Sequence, residues 1–237
     1  MTVHHNPNID PAIIKQQYML DKRVRLFPFL LQENADSILQ SLDAETEFSS
    51  AFNIDGANGV LTDTQMRNLS PADVQNLQEN IYRNASEGCG FLYGRNNITG
   101  QHPDKGPSIL SEFADMLNSE YVLSLIRDIS GHQDIRAASA QATRYLPGNF
   151  LTRHNDLHPD EGRRVAYVMN FTPEWHPDWG GLLQFYQQDG TPRDAWAPQF
   201  NTLTLFDVEH VHAVTFVAPY ARIPRLSITG WFRSRAL

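Results

Sequence analysis

His154-Asn155-Asp156 sets an imidazole and a carboxylate two residues apart. On an extended strand, positions i and i+2 share a face, so both side chains can converge on one point while Asn155 turns away. A third ligand has to come from another part of the chain. The run 208–217 offers His210 and His212, which share one parity, and periodicity does not choose between them. Two imidazoles and a carboxylate on one face of an octahedron leave three positions open, a set that suits Fe(II) with a co-substrate and O2 beside it. The bare spacing His-x-Asp is common by chance. Its ordinary reading is a surface histidine before a turn, since Pro159 and Gly162 follow. His158 has the right parity, but Pro159 is expected to end the strand there. His4, His5, His102, His132 and His176 fall in expected loops or the tail and are assigned no role.

The run from Arg225 to Phe232 is a second chemical feature. It alternates, with Arg225, Ser227, Thr229 and Trp231 on one face. An arginine, two hydroxyls and an aromatic ring make an odd face for a core. A buried guanidinium needs an anionic partner, because an unpaired buried charge is costly. Its fork suits bidentate capture of a carboxylate, whether a ligand's or a structural Asp or Glu.

These residues need rigid elements to hold them. The chain has 237 residues, a normal length for one large β-sandwich or barrel with added helices. Hydrophobic residues make up 41%, enough for a core. From residue 135 onward, short β-rich runs follow one another at 135–146, 150–157, 164–171, 181–187, 202–206, 211–217 and 223–232. Pro147-Gly148-Asn149, Gly180-Gly181 and Asp189-Gly190 punctuate them, which predicts a sandwich or jelly roll. Before residue 130 the pattern is helical at 34–42, at 70–85 with Ser70 as N-cap and Pro71 at the first position, and twice within 108–128. Residues 23–31 read as an entry strand broken at Pro28, 52–59 as turn-rich, 94–107 as a long mobile loop, and 1–10 as a loose tail. The expectation is an α+β, mainly β chain of one domain: helical support over about 32–130 packed on one sheet of a double-stranded β-helix over about 135–235.

The formal net charge of −8 disfavours direct binding of nucleic acid, which needs clustered Lys and Arg. The single cysteine, Cys89, cannot form an intrachain disulfide and reads as a small buried thiol. With no apolar leader in residues 1–10 and no apolar run of membrane-spanning length, a soluble cytoplasmic protein is expected.

Taken together, the segments Arg144–Asp156, Arg163–Asn170, Trp179–Phe185, His212–Val214 and Arg225–Phe232 resemble the prolyl-4-hydroxylase-like branch of the 2-oxoglutarate/Fe(II) oxygenases. In the last segment they resemble most the ribosomal-protein prolyl hydroxylases, whose entry strand Phe27-Pro28-Phe29-Leu30 also fits. The resemblance spans roughly residues 142–233. It implies a cupin-like double-stranded β-helix binding Fe(II) and consuming 2-oxoglutarate and O2, with ascorbate as an accessory reductant. It implies His154, Asp156 and His212 as iron ligands, the spacing His-x-Val selecting His212. It places Arg225 on the distal carboxylate of 2-oxoglutarate with Thr229 beside it, Tyr145 over the co-substrate, and Leu183, Val214 and Trp231 as pocket walls. One departure stands out. Some members carry a Tyr for that carboxylate where this chain has Val168, and Tyr167, one position away, faces the other side of the strand.

Three functions fit this reading. The first is a hydroxylase of prolyl residues in a protein or peptide, a ribosomal or translation protein being the candidate partner. The second is a hydroxylase of a free amino acid or small metabolite. The third is a jelly-roll binding module without catalysis. Asp156 favours hydroxylation over halogenation, because related halogenases lack that carboxylate. Arg163, Arg164, the 174–179 segment and the 94–107 loop are expected to form the mouth that separates the first two readings, with Trp175 and Trp179 either packing on a proline ring or capping the core. Oligomeric state is not legible in the sequence.

Overall fold

The computed structural model describes residues 2–88 and 90–236. Cys89 lies outside them.

Six α-helices and thirteen strands alternate unevenly along the described chain. The first part holds α1 (Pro11–Asp21), β1 (Arg23–Leu26), α2 (Gln32–Ala44), β2 (Ser49–Ile54), β3 (Ala57–Thr62), α3 (Asp63–Arg67), α4 (Pro71–Glu87), β4 (Phe91–Asn97), α5 (Ser108–Leu117) and α6 (Glu120–Ser130). The remainder is strands: β5 (Ala137–Ala138), β6 (Gln141–Tyr145), β7 (Phe150–His154), β8 (Arg163–Asn170), β9 (Leu183–Tyr186), β10 (Pro192–Trp196), β11 (Thr202–Asp207), β12 (His212–Val214) and β13 (Arg225–Arg233). Local chemistry sets the helix ends. Ser70 accepts the Asp73 N–H with Pro71 at the start of α4, and α6 begins on Ser119 and stops at Gly131, in the left-handed region at φ 83°.

The strands form one curled antiparallel sheet: ten run in the order β1-β11-β8-β13-β6-β4-β7-β12-β9-β10, the β2–β3 pair adds beside β4, and β5 beside β13. Strand alternation gives it two apolar faces. On β8, Val165, Tyr167 and Met169 point outward into the main core, where Phe113, Leu117, Ile126 and Ile129 of α5 and α6 meet Leu203, Leu205, Leu226, Ile228 and Phe232. Ala166 and Val168 point into the curl, toward Leu183, Phe185 and Phe206. Each large side chain so buried contributes about 1.5–3 kcal/mol. The helices therefore clamp one side of the sheet and leave the inside of the curl free for polar side chains. This is the mainly β jelly roll with helices on one sheet that the sequence predicts.

Several local expectations fail. Residues 2–10 are not loose: Val3 is buried, and His5 bridges to Leu30. Residues 52–59 belong to the β2–β3 hairpin, whose turn residues Asp55 and Gly56 both have positive φ, the backbone a tight hairpin requires. Gly94 to Asn97 is not loop but the second half of β4, which joins the sheet between β6 and β7. Gly94 is small because its strand runs close to β6; a Cβ there would lie 3.3 Å from the Cβ of Arg144. Strand β10 and helix α1 had no counterpart in the reading.

Candidate active site

Strand β7 stops at His154, so Asp156 does not share a strand with it. Its placement has another cause: the Asp156 N–H donates to the carbonyl of Val208 at 3.0 Å, which pins the segment after β7 to the turn before β12. His154 is aimed by a bulge. His212 of β12 lies opposite His154, but Val214 lies opposite Leu151, so β7 holds one extra residue between the two pairs. Leu151 packs in the cluster of Tyr145, Val214 and Val217, and His154, three residues on, turns its ring to within 4.2 Å of the His212 ring.

The result is a compact set. His154 Nε2 is 3.7 Å from one Asp156 carboxylate oxygen, and His212 Nε2 is 3.5 Å from the other. One ligand atom from each residue lies within 4.8 Å of the others. Both rings are oriented through Nδ1, which meets the Thr152 carbonyl in His154 and the His210 carbonyl in His212, each at 2.9 Å. A proton held there leaves each Nε2 lone pair facing the shared centre. Burial pushes the His212 imidazole down to about 4, against the opposing pull of Asp156. The ring is therefore neutral near pH 7, the form a metal takes. His210, with the same parity as His212, is engaged elsewhere, on the Asp21 carbonyl at 2.9 Å. His158 is half-exposed beside Glu161.

Arg225 opens β13 and is 2% exposed. Among the described residues no carboxylate pairs with it, and its Nε has no hydrogen-bond partner. Its guanidinium lies 5.2 Å from the centre of the Tyr145 ring, and burial lowers its pKa with Tyr145 as the sole opposing influence. Such a charge is tolerable only if an anion completes it. Next to it, one row of paired positions crosses four strands: Thr202, Asn170, Ser227 and Thr143. All four are buried. Thr143 and Ser227 share a hydrogen bond of 2.8 Å between hydroxyls, while Asn170 Oδ1 has no partner. Sequence reading missed Asn170 and Thr143, although alternation along β8 and β6 would have put them on the Arg225 face.

The remaining expected wall residues line the same interior. Leu183 and Val214 are paired across β9 and β12. Tyr145 stacks on Tyr93 of β4 at 5.3 Å, a neighbour that the reading of residues 94–107 as loop concealed. Thr229 faces inward two residues beyond Ser227, where it accepts from Gln141 at 3.3 Å. Val168 packs with Leu183 and Phe206, and Tyr167 points into the outer core with its hydroxyl donating to the Ser139 carbonyl at 2.8 Å, as parity required. Trp231 sits under the Arg163 guanidinium at 3.5 Å.

The expected mouth is built differently. Arg164 forks onto Asp134, and Arg163 bonds Glu161 at 2.9 Å, so carboxylates of the fold hold both cations. Trp175 donates to the Gly180 carbonyl at 2.8 Å, packs edge-on against Trp179, and borders the Tyr145 cluster. Gly181 runs between Trp175 and Arg225: a Cβ there would lie 3.1 Å from the indole and 3.3 Å from Arg225 Cδ. Trp175 is thus a wall behind Arg225 rather than a free lip. A cavity of about 980 Å³ lies between the end of α4 and strands β7 and β12; Leu151 and Val214 line it, and none of the three triad residues does.

Comparison with known proteins follows the same lines. Residues 140–233 match the model of the 2OG-Fe(II) oxygenase superfamily. Over 84 residues the chain is 37% identical to the prolyl 3-hydroxylase OGFOD1 of Xenopus laevis and to that of Mus musculus, an alignment covering 32% of this chain and 16% and 15% of those relatives. In three dimensions it is similar to a prolyl-4-hydroxylase from Pseudomonas putida, with a TM-score of 0.60 at 17% identity over 96% of this chain and 100% of that one. It is also similar to a Trichoplax adhaerens prolyl hydroxylase solved with a peptide of hypoxia inducible factor, with a TM-score of 0.63 at 18% identity over 94% and 89% of the two chains. Residues 140–233 thus match that family model, and they are set in a fold that the solved prolyl hydroxylases share.

Proposed function

We propose that the chain is a 2-oxoglutarate- and O2-dependent Fe(II) hydroxylase acting on a prolyl residue of a protein or peptide. The observation that carries the reading is the pairing of two sites inside one curl: a His-Asp-His set with both imidazoles turned Nε2-first to a common centre, and an arginine buried without a counter-ion. The donor set fits Fe(II), with His154, Asp156 and His212 as ligands. The orphaned guanidinium fits the far carboxylate of a keto diacid. Iron held there supplies the redox chemistry that couples decarboxylation of 2-oxoglutarate to hydroxylation of a C–H bond.

The protein's own share is positioning. Asp156 contributes the negative charge that balances the metal. Thr152 and His210 carbonyls lock the imidazoles. Arg225 fixes the co-substrate's far end, Tyr145 lies over it, and Leu183, Val214 and Trp231 keep the pocket dry. In place of the missing aromatic hydroxyl at Val168, the Asn170 carboxamide and the Thr143–Ser227 hydroxyl pair complete the carboxylate site. Asn170 can turn its N–H2 toward an incoming carboxylate, since its buried Oδ1 bonds to nothing that would hold the present orientation.

The prolyl substrate rests on the relatives, of whose length this chain matches about a sixth. A ribosomal or translation protein is the partner that resemblance suggests. No described helix is long and apolar enough to cross a membrane. The test is incubation of cell-lysate proteins with the chain, Fe(II), 2-oxoglutarate and ascorbate, followed by peptide mass spectrometry. One added oxygen localised to proline in a discrete protein is expected. If proteins stay unmodified while the small-molecule fraction stimulates succinate release, a metabolite hydroxylase replaces this reading. If nothing stimulates turnover and no metal binds, the chain is a binding module.

A further inference from the structure

Two of the three metal ligands hang on one short turn that contains no ligand itself. It runs from Asp207, the last residue of β11, to His210. Val208 offers the carbonyl that pins the Asp156 N–H, and His210 offers the carbonyl that orients His212 through Nδ1. The shape of this turn therefore decides where two of the three ligands point. Its shape is set by Asp207. The Asp207 carbonyl accepts the His210 N–H at 3.1 Å, and one side-chain oxygen accepts the Glu209 N–H at 3.1 Å, an Asx turn that rigidifies the segment locally. The second side-chain oxygen meets His132 Nε2 at 3.1 Å, reaching across from the connection after α6. The Asp207 N–H is itself fixed on the Lys22 carbonyl at the end of α1. Asp207 is more than half-buried, with Tyr18, His132, His210 and Arg164 as its titratable surroundings. An acid placed for solubility would not use both oxygens inward.

We infer that Asp207 is a positioning residue of the metal centre, oriented by His132, and that it tunes metal affinity through the carbonyls of Val208 and His210. The inference rests on the metal reading above. Residues that orient metal ligands typically change affinity by about 10–100-fold when removed, and Asp207 acts at one further remove on two ligands together. An Asn in its place keeps an oxygen for the Glu209 N–H and an N–H2 for a neutral His132. It should therefore rescue most of what Ala loses.

The experiment is Mn(II) titration by calorimetry of the full chain and of Asp207→Ala, Asp207→Asn and His132→Ala, at a temperature well below the melting point of each. Asp207→Ala is expected to weaken Mn(II) binding by about tenfold or more, His132→Ala by less, and Asp207→Asn by no more than about threefold. With Mn(II) saturating, 2-oxoglutarate affinity is expected to stay unchanged in all three, because the Arg225 end does not touch this turn. If Asp207→Ala binds Mn(II) as the parent does, or if Mn(II) and 2-oxoglutarate binding fall in parallel with melting temperature, Asp207 is only a fold-stabilising acid and the inference fails. If the parent itself binds no Mn(II), the metal reading fails instead.

Discussion

The two ends of the pocket are built by different rules. At the Arg225 end, every side chain comes from a strand: Tyr145, Thr143, Asn170, Ser227 and Arg225 follow alternation and lie in register across neighbouring strands. At the metal end, regular structure stops. His154 is aimed by a bulge, Asp156 lies beyond its strand, and His212 follows a turn shaped by a side chain. Ladder hydrogen bonds fix the first end in advance, so its cost is electrostatic, an unpaired charge held in place by the sheet. Non-ladder contacts assemble the second end. Its geometry is the softer of the two. The expected behaviour is that substitutions at the metal end act through position and those at the arginine end through charge.

The largest effect should come from removing a ligand. Asp156→Ala is expected to abolish turnover and to weaken Fe(II) or Mn(II) binding by several orders of magnitude, while His210→Ala changes both little, since its ring is committed to the Asp21 carbonyl. Metal titration and succinate release measure this. Loss of metal in His210→Ala with retention in His212→Ala would reverse the ligand assignment.

Arg225 separates binding from stability. Arg225→Met should raise the 2-oxoglutarate requirement by about 100-fold or more, the range for stripping a buried charge-assisted pair. In the ligand-free protein the same substitution should stabilise, by about 1–4 kcal/mol, because it deletes a buried charge that nothing pairs. Thermal melts with and without 2-oxoglutarate would cross. A variant that lowers both curves alike would mean the guanidinium is structurally satisfied after all.

The metal end has its own signature in pH. His212 has its pKa depressed to about 4 from an ordinary 6.5. The unfolded chain therefore binds a proton that the folded one refuses between those values. The stabilisation is complete above about pH 6.5 and is lost as pH falls toward 4, by roughly 3 kcal/mol if this group acted alone. Denaturant melts of the metal-free protein should show that acid limb, and His212→Gln should flatten it.

What the sequence disclosed follows the same divide. Strand parity put Arg225, Ser227 and Thr229 on one face and turned Tyr167 away from it, and the Ser70-Pro71 cap marked the start of α4. Those signals are local and periodic. The β7 bulge is not, because one extra residue shows only when a partner strand is laid beside it. For the same reason His154 and Asp156 were expected on one strand face and reach the same centre by another route. Asp55-Gly56 did carry a hairpin signal that the surrounding polar residues masked. Gly94 was mistaken for mobility when its reason is a close neighbour. Tyr93 could be found only once residues 91–97 were seen to be strand.

The smallest effect is the one that tests how the arginine end is completed. If the Asn170 carboxamide helps to hold the co-substrate, Asn170→Ala removes one neutral hydrogen bond to a charged group, about 1.5–3 kcal/mol at most and less if water fills the gap, so 2-oxoglutarate binding should weaken by about tenfold. Metal affinity should not move, because Asn170 lies at the end of β8 opposite Thr202, far from the Asp207 end where the turn that orients the ligands begins. Val168→Tyr offers the converse. It puts a phenol on the same inward face, two residues from Asn170, and in an Asn170→Ala background it should recover part of the lost affinity if the pocket accepts its bulk. Calorimetric titration of 2-oxoglutarate into Mn(II)-loaded protein reads both. Unchanged affinity in Asn170→Ala would leave Arg225 with only the Thr143–Ser227 hydroxyls as helpers, and would make the unpaired Asn170 oxygen a cost of the fold that the site does not use.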